Sequence, residues 1–221
     1  MQIIPDFTAM VVYIKKVYNN LYVDEKYGLI YCNIPKVGSS NWIRTMARMR
    51  GVSQEKAAKK NPWKFTSMYV RKLKQYSEAE QQQMLEDYYK VVFVREPIDR
   101  LLSAYKDKLG NTIRHDKIWL KMYGRQIIRL FRPNATQEEI QRGNDTTFKE
   151  FVQYLIRKKP NNRHWLQYHK LCRPCQLKYD FIGKYETMDR DAEFVLRKVG
   201  VKKKSRSLKC MKQDWMGKFI S

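Results

Sequence analysis

No stretch of this chain approaches the ~20 consecutive apolar residues that a membrane-spanning helix needs. The first twenty residues are interrupted by Pro5, Asp6, Lys15 and Lys16, so they hold no unbroken apolar core of the kind a signal segment carries. Internal repeats, low-complexity tracts and Pro/Gly-rich linkers are also missing, and the reading is one α/β domain. At 221 residues with 43% hydrophobic content, the chain can bury one sizeable core. Acidic residues are scarce: 22 Asp and Glu against 45 Lys and Arg leave a net charge of +23. A surplus of that size predicts an acidic partner, either a polysaccharide bearing sulfates or uronic acids or a nucleic acid. The 13% aromatic content, interleaved with basic residues, would suit a single-strand binder. Against nucleic acid, the chain has no RNA-recognition sheet motif, KH loop, zinc finger or helix-turn-helix pattern.

A GxxxxGK[ST] loop is absent as well, which disfavours a nucleoside triphosphatase. What stands in its place is Pro35-Lys36-Val37-Gly38-Ser39-Ser40-Asn41-Trp42, lying between a buried-strand pattern at Gly28–Ile34 and a helix pattern running from Asn41 to Met49. A strand that runs through a tight turn into a helix is how an anion site is built. Gly38 lets the backbone bend close to a ligand, Ser39 and Ser40 offer hydroxyls, the opening helix offers unpaired N–H groups, and Lys36 adds a mobile positive charge.

A second segment repeats the logic. Lys90–Val94 reads as another buried strand; Arg95 ends it, Glu96-Pro97 turns the chain, and a helix carrying Asp99, Arg100 and Ser103 follows to Lys108. In an open α/β sheet ligands sit at the carboxyl ends of strands, so two such ends can serve one anionic ligand. Tyr179–Tyr185 is the third strand candidate. Ser77-x-x-Glu80 and Thr147-x-x-Glu150 are capping boxes opening helices. In the second of these helices Phe148, Phe151, Val152, Leu155 and Ile156 follow helical spacing and read as a core stripe.

These segments, "PKVGSSNW" and "VREPIDRLLSAYKDK", followed in order by "NATQEEI", "TFKEFVQYL", "HW", "LCRPC" and "YDFIGKYET", resemble the Golgi carbohydrate sulfotransferases of the chondroitin, dermatan and HNK-1 group. The resemblance runs from Tyr22 to Gly200 in one consistent order. It implies a P-loop-like sulfotransferase fold, with a parallel central sheet flanked by helices. The implied division is an N-terminal segment 1–21 without a clear anchor, a sulfotransferase domain 22–200, and a basic C-terminal tail 201–221, mobile or truncated.

The resemblance also implies transfer of a sulfuryl group from 3′-phosphoadenosine 5′-phosphosulfate (PAPS) to a sugar hydroxyl, with no metal required. Pro35, Lys36, Val37, Gly38, Ser39, Ser40 and Asn41 match the family's grip on the 5′-phosphosulfate. Arg95 and Ser103 match its grip on the 3′-phosphate, with Glu96, Pro97, Asp99 and Arg100 in the turn that lines the nucleotide. Where the chondroitin and dermatan branch reads Ala-Cys-Thr, this chain reads Gly38-Ser39-Ser40, which keeps the small-then-hydroxyl character. The implied acceptor is an acidic glycan of the glycosaminoglycan class.

For the chemistry, Lys36 is the expected stabiliser of the sulfuryl group and the leaving oxygen. A general base would be one of three histidines, His115, His164 and His169, of which His164 in the His-Trp pair ranks first and His115 second. Trp165 is read as either a sugar-stacking or a packing residue. His164, His169, Cys172 and Cys175 have a spacing that could nominally hold zinc. The family resemblance instead implies a local Cys172–Cys175 disulfide, with Cys32 a small buried residue. The sequons at Asn134 and Asn144, taken with the paired cysteines, favour a Golgi-lumenal domain. Family members are type II membrane proteins, and the expected anchor is absent from this sequence. A truncated, inactive glycan-binding relative is the alternative reading.

Overall fold

The computed structural model describes residues 16–58, 68–110 and 117–201. Among them, strands β1 (Leu21–Asp24), β2 (Leu29–Cys32), β3 (Arg71–Lys72), β4 (Tyr89–Val94) and β5 (Phe181–Lys184) form one sheet in the order β3-β1-β2-β4-β5. The principal helices are α1 (Ser39–Met49), α2 (Glu78–Asp87), α3 (Pro97–Lys108), α4 (Arg125–Phe131), α5 (Gln137–Arg142), α6 (Phe148–Lys158), α7 (Tyr168–Cys172) and α8 (Met188–Lys198). The described residues fall into two compact units, one drawn from Met1–Arg95 and Gln167–Ser221, the other from Glu96–Leu166. No helix among the described residues is long and apolar enough to cross a membrane.

In the first unit the α/β reading holds, but the sheet is mixed rather than parallel. β2, β4 and β5 run parallel, whereas β1 is antiparallel to both β2 and β3. The cause is local. Four turn residues separate β1 from β2, far too few for a parallel crossover, and Gly28 takes a φ of +55° in that turn instead of opening the strand. The Asp24 carboxylate accepts the Tyr27 N–H at 3.1 Å and closes the hairpin.

β2 and β4 are continuous apolar runs because both faces are covered. Trp42 of α1 is fully buried against them, its ring centroid 5.4 Å from Tyr31 and 4.9 Å from Phe93. The indole N–H points at the Met188 sulfur, 3.3 Å away at the start of α8. Gly183 of β5 has no alternative: a Cβ there would stand 2.3 Å from the Phe93 ring.

The disulfide differs from the expectation. Cys172 is bonded to Cys32, with a Cα separation of 6.0 Å, and Cys175 is a free, exposed thiol. The chain ends α7 at Cys172 with its sulfur buried against the sheet, then turns through Arg173 at φ +50°, which carries Cys175 out to solvent. The oxidised Cys172 is no thiolate, so the nominal zinc set loses a ligand. Among the described residues, no group of three or more His, Cys, Asp or Glu is placed to hold a metal ion.

The second unit is helical. Leu109, Ile127, Phe151 and Tyr154 form its buried centre, with Trp165, Tyr123 and Tyr105 packed around them. α6 opens with the Thr147–Glu150 capping box, as the sequence predicts. Ile156, expected in the core stripe, is instead 69% exposed, and Tyr154 takes the inward place, which lies on the Phe151 side of the helix. Leu120–Gly124 is a π-helical turn, and it depends on glycine: a Cβ on Gly124 would lie 1.9 Å from the Gly143 carbonyl oxygen.

Candidate active site

The anion-binding segment begins where β2 ends. Asn33 and Ile34 are buried, Pro35–Gly38 form a turn, and α1 starts at Ser39. Two residues in this short turn have left-handed backbones, Lys36 at φ +71° and Gly38 at φ +76°. For Gly38 that conformation is free of a Cβ clash, whereas for Lys36 it carries strain of the kind that collects at ligand sites.

No side chain caps the α1 N-terminus. The Gly38 carbonyl accepts the N–H groups of Asn41 and Trp42, at 3.0 and 3.3 Å. The positive end of the helix dipole is therefore presented to whatever lies before Ser39. Ser39 is buried, while Lys36 and Ser40 are half-buried. The Asn41 side chain accepts from the Arg44 guanidinium at 3.1 Å, which holds it along the first turn. Burial of Trp42 fixes the helix that carries all of these groups.

β2 and β4 are parallel, with Cys32 opposite Val92, so the residue that follows β4 leaves from the same edge of the sheet as the Pro35 turn. That residue is Arg95. Its main chain is bracketed by Tyr168 of α7, whose hydroxyl accepts the Arg95 N–H at 3.2 Å and donates to the Arg95 carbonyl at 2.6 Å. The guanidinium lies 4.3 Å from the ring centroid of Tyr185, which follows β5 on the same edge. Burial raises the Tyr185 pKa, the Arg95 charge pulls it back, and the Glu186 charge raises it again; the net shift is upward, so the ring stays a neutral phenol under the cation. Tyr168 and Tyr185, the two side chains that hold Arg95, are positions that sequence reasoning did not single out. The signal for Tyr185 lay in its place as the last residue of the Tyr179–Tyr185 strand pattern; Tyr168 has none, because its contact with Arg95 depends on how α7 packs.

The second unit holds Glu96, Pro97, Asp99, Arg100, Ser103 and His164. Glu96 caps α3, its carboxylate accepting the Asp99 N–H at 2.7 Å, and Pro97 occupies the first helical turn. Ser103 is half-buried on the same helix. Arg100 has a different placement from the one the sequence suggests. It is buried, and its guanidinium donates to the carbonyls of Leu166 at 2.9 Å and Arg163 at 3.1 Å, on either side of His164-Trp165.

His164 is half-buried, with Nδ1 3.0 Å from the Asn162 side-chain oxygen and its ring edge-on to Trp119, centroids 5.2 Å apart. Trp165 packs against Tyr123 and Phe151 and donates its indole N–H to the Pro160 carbonyl at 3.2 Å, which favours the packing role over sugar stacking. His115 lies outside the described residues, as do the segment 1–15 and the basic run from 202. Asn134 is exposed at φ +40°, two residues before Thr136 caps α5; Asn144 is half-buried.

The sequence profile described as "Sulfotransferase family" matches residues 19–218. Carbohydrate sulfotransferase 11 of Rattus norvegicus is 43% identical over 189 residues, covering 82% of this chain and 53% of that protein. Carbohydrate sulfotransferase 14 of Danio rerio is 35% identical, covering 84% of this chain and 50% of its own, and carbohydrate sulfotransferase 9 of Homo sapiens is 34% identical, covering 84% and 42%. This chain thus spans about half the length of the relatives it matches. No solved structure matches it. The match over residues 19–218, with 43% identity to one of these relatives, places the chain in the sulfotransferase family.

Proposed function

We propose that this chain transfers a sulfuryl group from PAPS to a hydroxyl of an acidic glycan of the glycosaminoglycan class, and that the Pro35–Asn41 turn works as a P-loop-like grip on the 5′-phosphosulfate. The observation that carries this reading is the uncapped N-terminus of α1, preceded by left-handed backbones at Lys36 and Gly38. Such a turn gathers N–H groups, two hydroxyls and a cation within one short segment, which fits a phosphosulfate better than a neutral ligand. Arg95, on the same sheet edge and held from two sides by Tyr168 and Tyr185, fits the 3′-phosphate. Ser103 is assigned to the same phosphate on the family resemblance.

In the reaction, the acceptor oxygen forms a bond to sulfur as the bond from sulfur to the bridging oxygen breaks, leaving adenosine 3′,5′-bisphosphate. Lys36 and the α1 N–H groups answer the charge that grows on the leaving oxygen. His164 takes the hydroxyl proton. The net charge of +23 supports an anionic acceptor. A Golgi-lumenal location, with glycans on Asn134 and Asn144, is part of the same proposal.

The test is an assay with labelled PAPS against a panel of desulfated glycosaminoglycans. Label transferred to one or more of them is the expected result. Glycan binding with no transfer by folded protein would favour the inactive, glycan-binding alternative.

A further inference from the structure

Asn162 has contacts that the reaction as written does not use. Its Nδ2 donates to the Tyr123 hydroxyl at 3.1 Å. Its Oδ1 accepts the main-chain N–H of His164 at 3.0 Å and lies 3.0 Å from the His164 Nδ1. A main-chain N–H can only donate, so the atom facing it must be the amide oxygen, and the side chain cannot be turned the other way. An oxygen acceptor at 3.0 Å then requires a proton on Nδ1, which in a neutral imidazole leaves the lone pair on Nε2.

The support for Asn162 is itself built in. Tyr123 lies within the π turn Leu120–Gly124, and Trp119 immediately precedes it. Their rings stack at 5.7 Å, one holding Asn162 by its hydroxyl and the other meeting the His164 ring edge-on. The turn admits only glycine at position 124, where a Cβ would lie 1.9 Å from the Gly143 carbonyl oxygen. π turns interrupt a helix at some cost and gather at functional sites.

We infer that Asn162 is a positioning residue for sulfuryl transfer: it holds His164 in the Nδ1–H tautomer, with the lone pair on Nε2, and the glycine-dependent π turn places Tyr123 to hold Asn162. This rests on the proposed role of His164 as the base. As the acceptor oxygen bonds to sulfur, its proton moves to Nε2. The imidazolium so formed keeps its Nδ1–H on Asn162, whose neutral amide stabilises it without taking the proton.

The test combines side-chain NMR with kinetics. The chain has three histidines, so the His164 ring nitrogens can be assigned in a ¹⁵N-labelled protein by their loss in His164→Gln. The expected wild-type spectrum above the imidazole titration shows Nδ1 protonated and Nε2 bare. Asn162→Ala should move His164 toward the Nε2–H form that free histidine prefers, and lower kcat by about 10- to 100-fold, part of the ~100- to 10,000-fold a positioned base supplies, with KM for PAPS unchanged. Asn162→Asp should keep the tautomer and shift the acidic limb of the pH–rate profile upward, because a carboxylate stabilises the imidazolium. Tyr123→Phe, a milder change, should show the same loss in part and serves if Asn162→Ala does not fold. A wild-type Nε2–H spectrum, or Asn162 variants with unchanged tautomer and pH profile, would overturn the inference. An Nδ1–H spectrum with an unimpaired His164→Ala enzyme would instead overturn the general-base reading, leaving the tautomer hold supported.

Discussion

The Tyr168 hydroxyl bonds both main-chain groups of Arg95, accepting its N–H and donating to its carbonyl. A loop residue at a strand end thereby has its main chain fixed by a helix more than seventy residues away in sequence, while its guanidinium rests over the Tyr185 ring. With Arg95 on the 3′-phosphate as proposed, Arg95→Ala would delete a charge-assisted contact of ~1.5–3 kcal/mol and should weaken adenosine 3′,5′-bisphosphate binding by about 10- to 150-fold. Tyr168→Phe, which leaves the cation in place, should weaken it less. Calorimetry on folded protein checks both, and an unchanged affinity in Arg95→Ala would remove Arg95 from the nucleotide site.

Lys36 should behave differently. On the proposed reading its charge answers the oxygen that becomes anionic as the sulfuryl group leaves, so Lys36→Ala should reduce kcat far more than it reduces nucleotide affinity. Single-turnover kinetics beside nucleotide binding on the same preparation separates the two quantities. Wild-type turnover would exclude Lys36 from the chemistry.

The strand–turn–helix at Pro35 and the second one at Arg95 were legible because both consist of neighbouring residues whose order dictates their geometry. The capping boxes at Ser77 and Thr147 were legible for the same reason. β1 escaped notice, although Leu21–Cys32 has the shape of a hairpin, because Asp24 and Glu25 break its apolar pattern; Asp24 is in fact buried, held by Tyr27 N–H and facing Arg50 at 3.6 Å. Arg100 could not be told from Arg95 by sequence. Which of two arginines lies over an aromatic ring, and which turns inward to carbonyls, is a property of packing.

The same limit explains the cysteines. The family resemblance implies Cys172–Cys175, but the structure pairs Cys172 with Cys32, which is buried at the end of β2. Cys32→Ala should therefore lower stability by about 2–5 kcal/mol, a loss typical of removing a native disulfide, while Cys175→Ser should be close to neutral. Non-reducing peptide mapping with denaturant titrations checks this. A Cys172-containing peptide linked to Cys175 in the wild type would refute the pairing.

Glu150 gives a pH-dependent test of the second unit. Burial pushes its pKa up, but the Arg132 guanidinium, bonded at 2.9 and 3.1 Å, and the Thr147 N–H and hydroxyl outweigh this and leave it below the ordinary glutamate value. A carboxylate with a depressed folded pKa contributes stability that is complete above its unfolded pKa and is lost as pH falls through the folded one. Glu150→Gln should thus cost about 1.5–3 kcal/mol at pH 7, and the gap from wild type should close under acid below the usual glutamate range. A gap independent of pH would mean that the ion pair contributes nothing beyond its hydrogen-bonding shape.

Arg100 separates support from binding. Buried and bonded to the carbonyls of Arg163 and Leu166, it anchors the segment that carries His164. Arg100→Ala would leave two half-buried carbonyls without this donor, at up to about 1–3 kcal/mol each, so the melting temperature should fall by several degrees. With His164 less firmly held, kcat should drop, whereas the affinity for adenosine 3′,5′-bisphosphate should stay near that of wild type in protein kept well below its melting point. Arg100→Lys keeps the charge but loses the fork that reaches two carbonyls at once, so it should rescue little of either loss. This pattern is the reverse of the one expected for Arg95→Ala. A stable Arg100→Ala protein with a large loss of nucleotide affinity would return Arg100 to the ligand site that its place in the motif suggests.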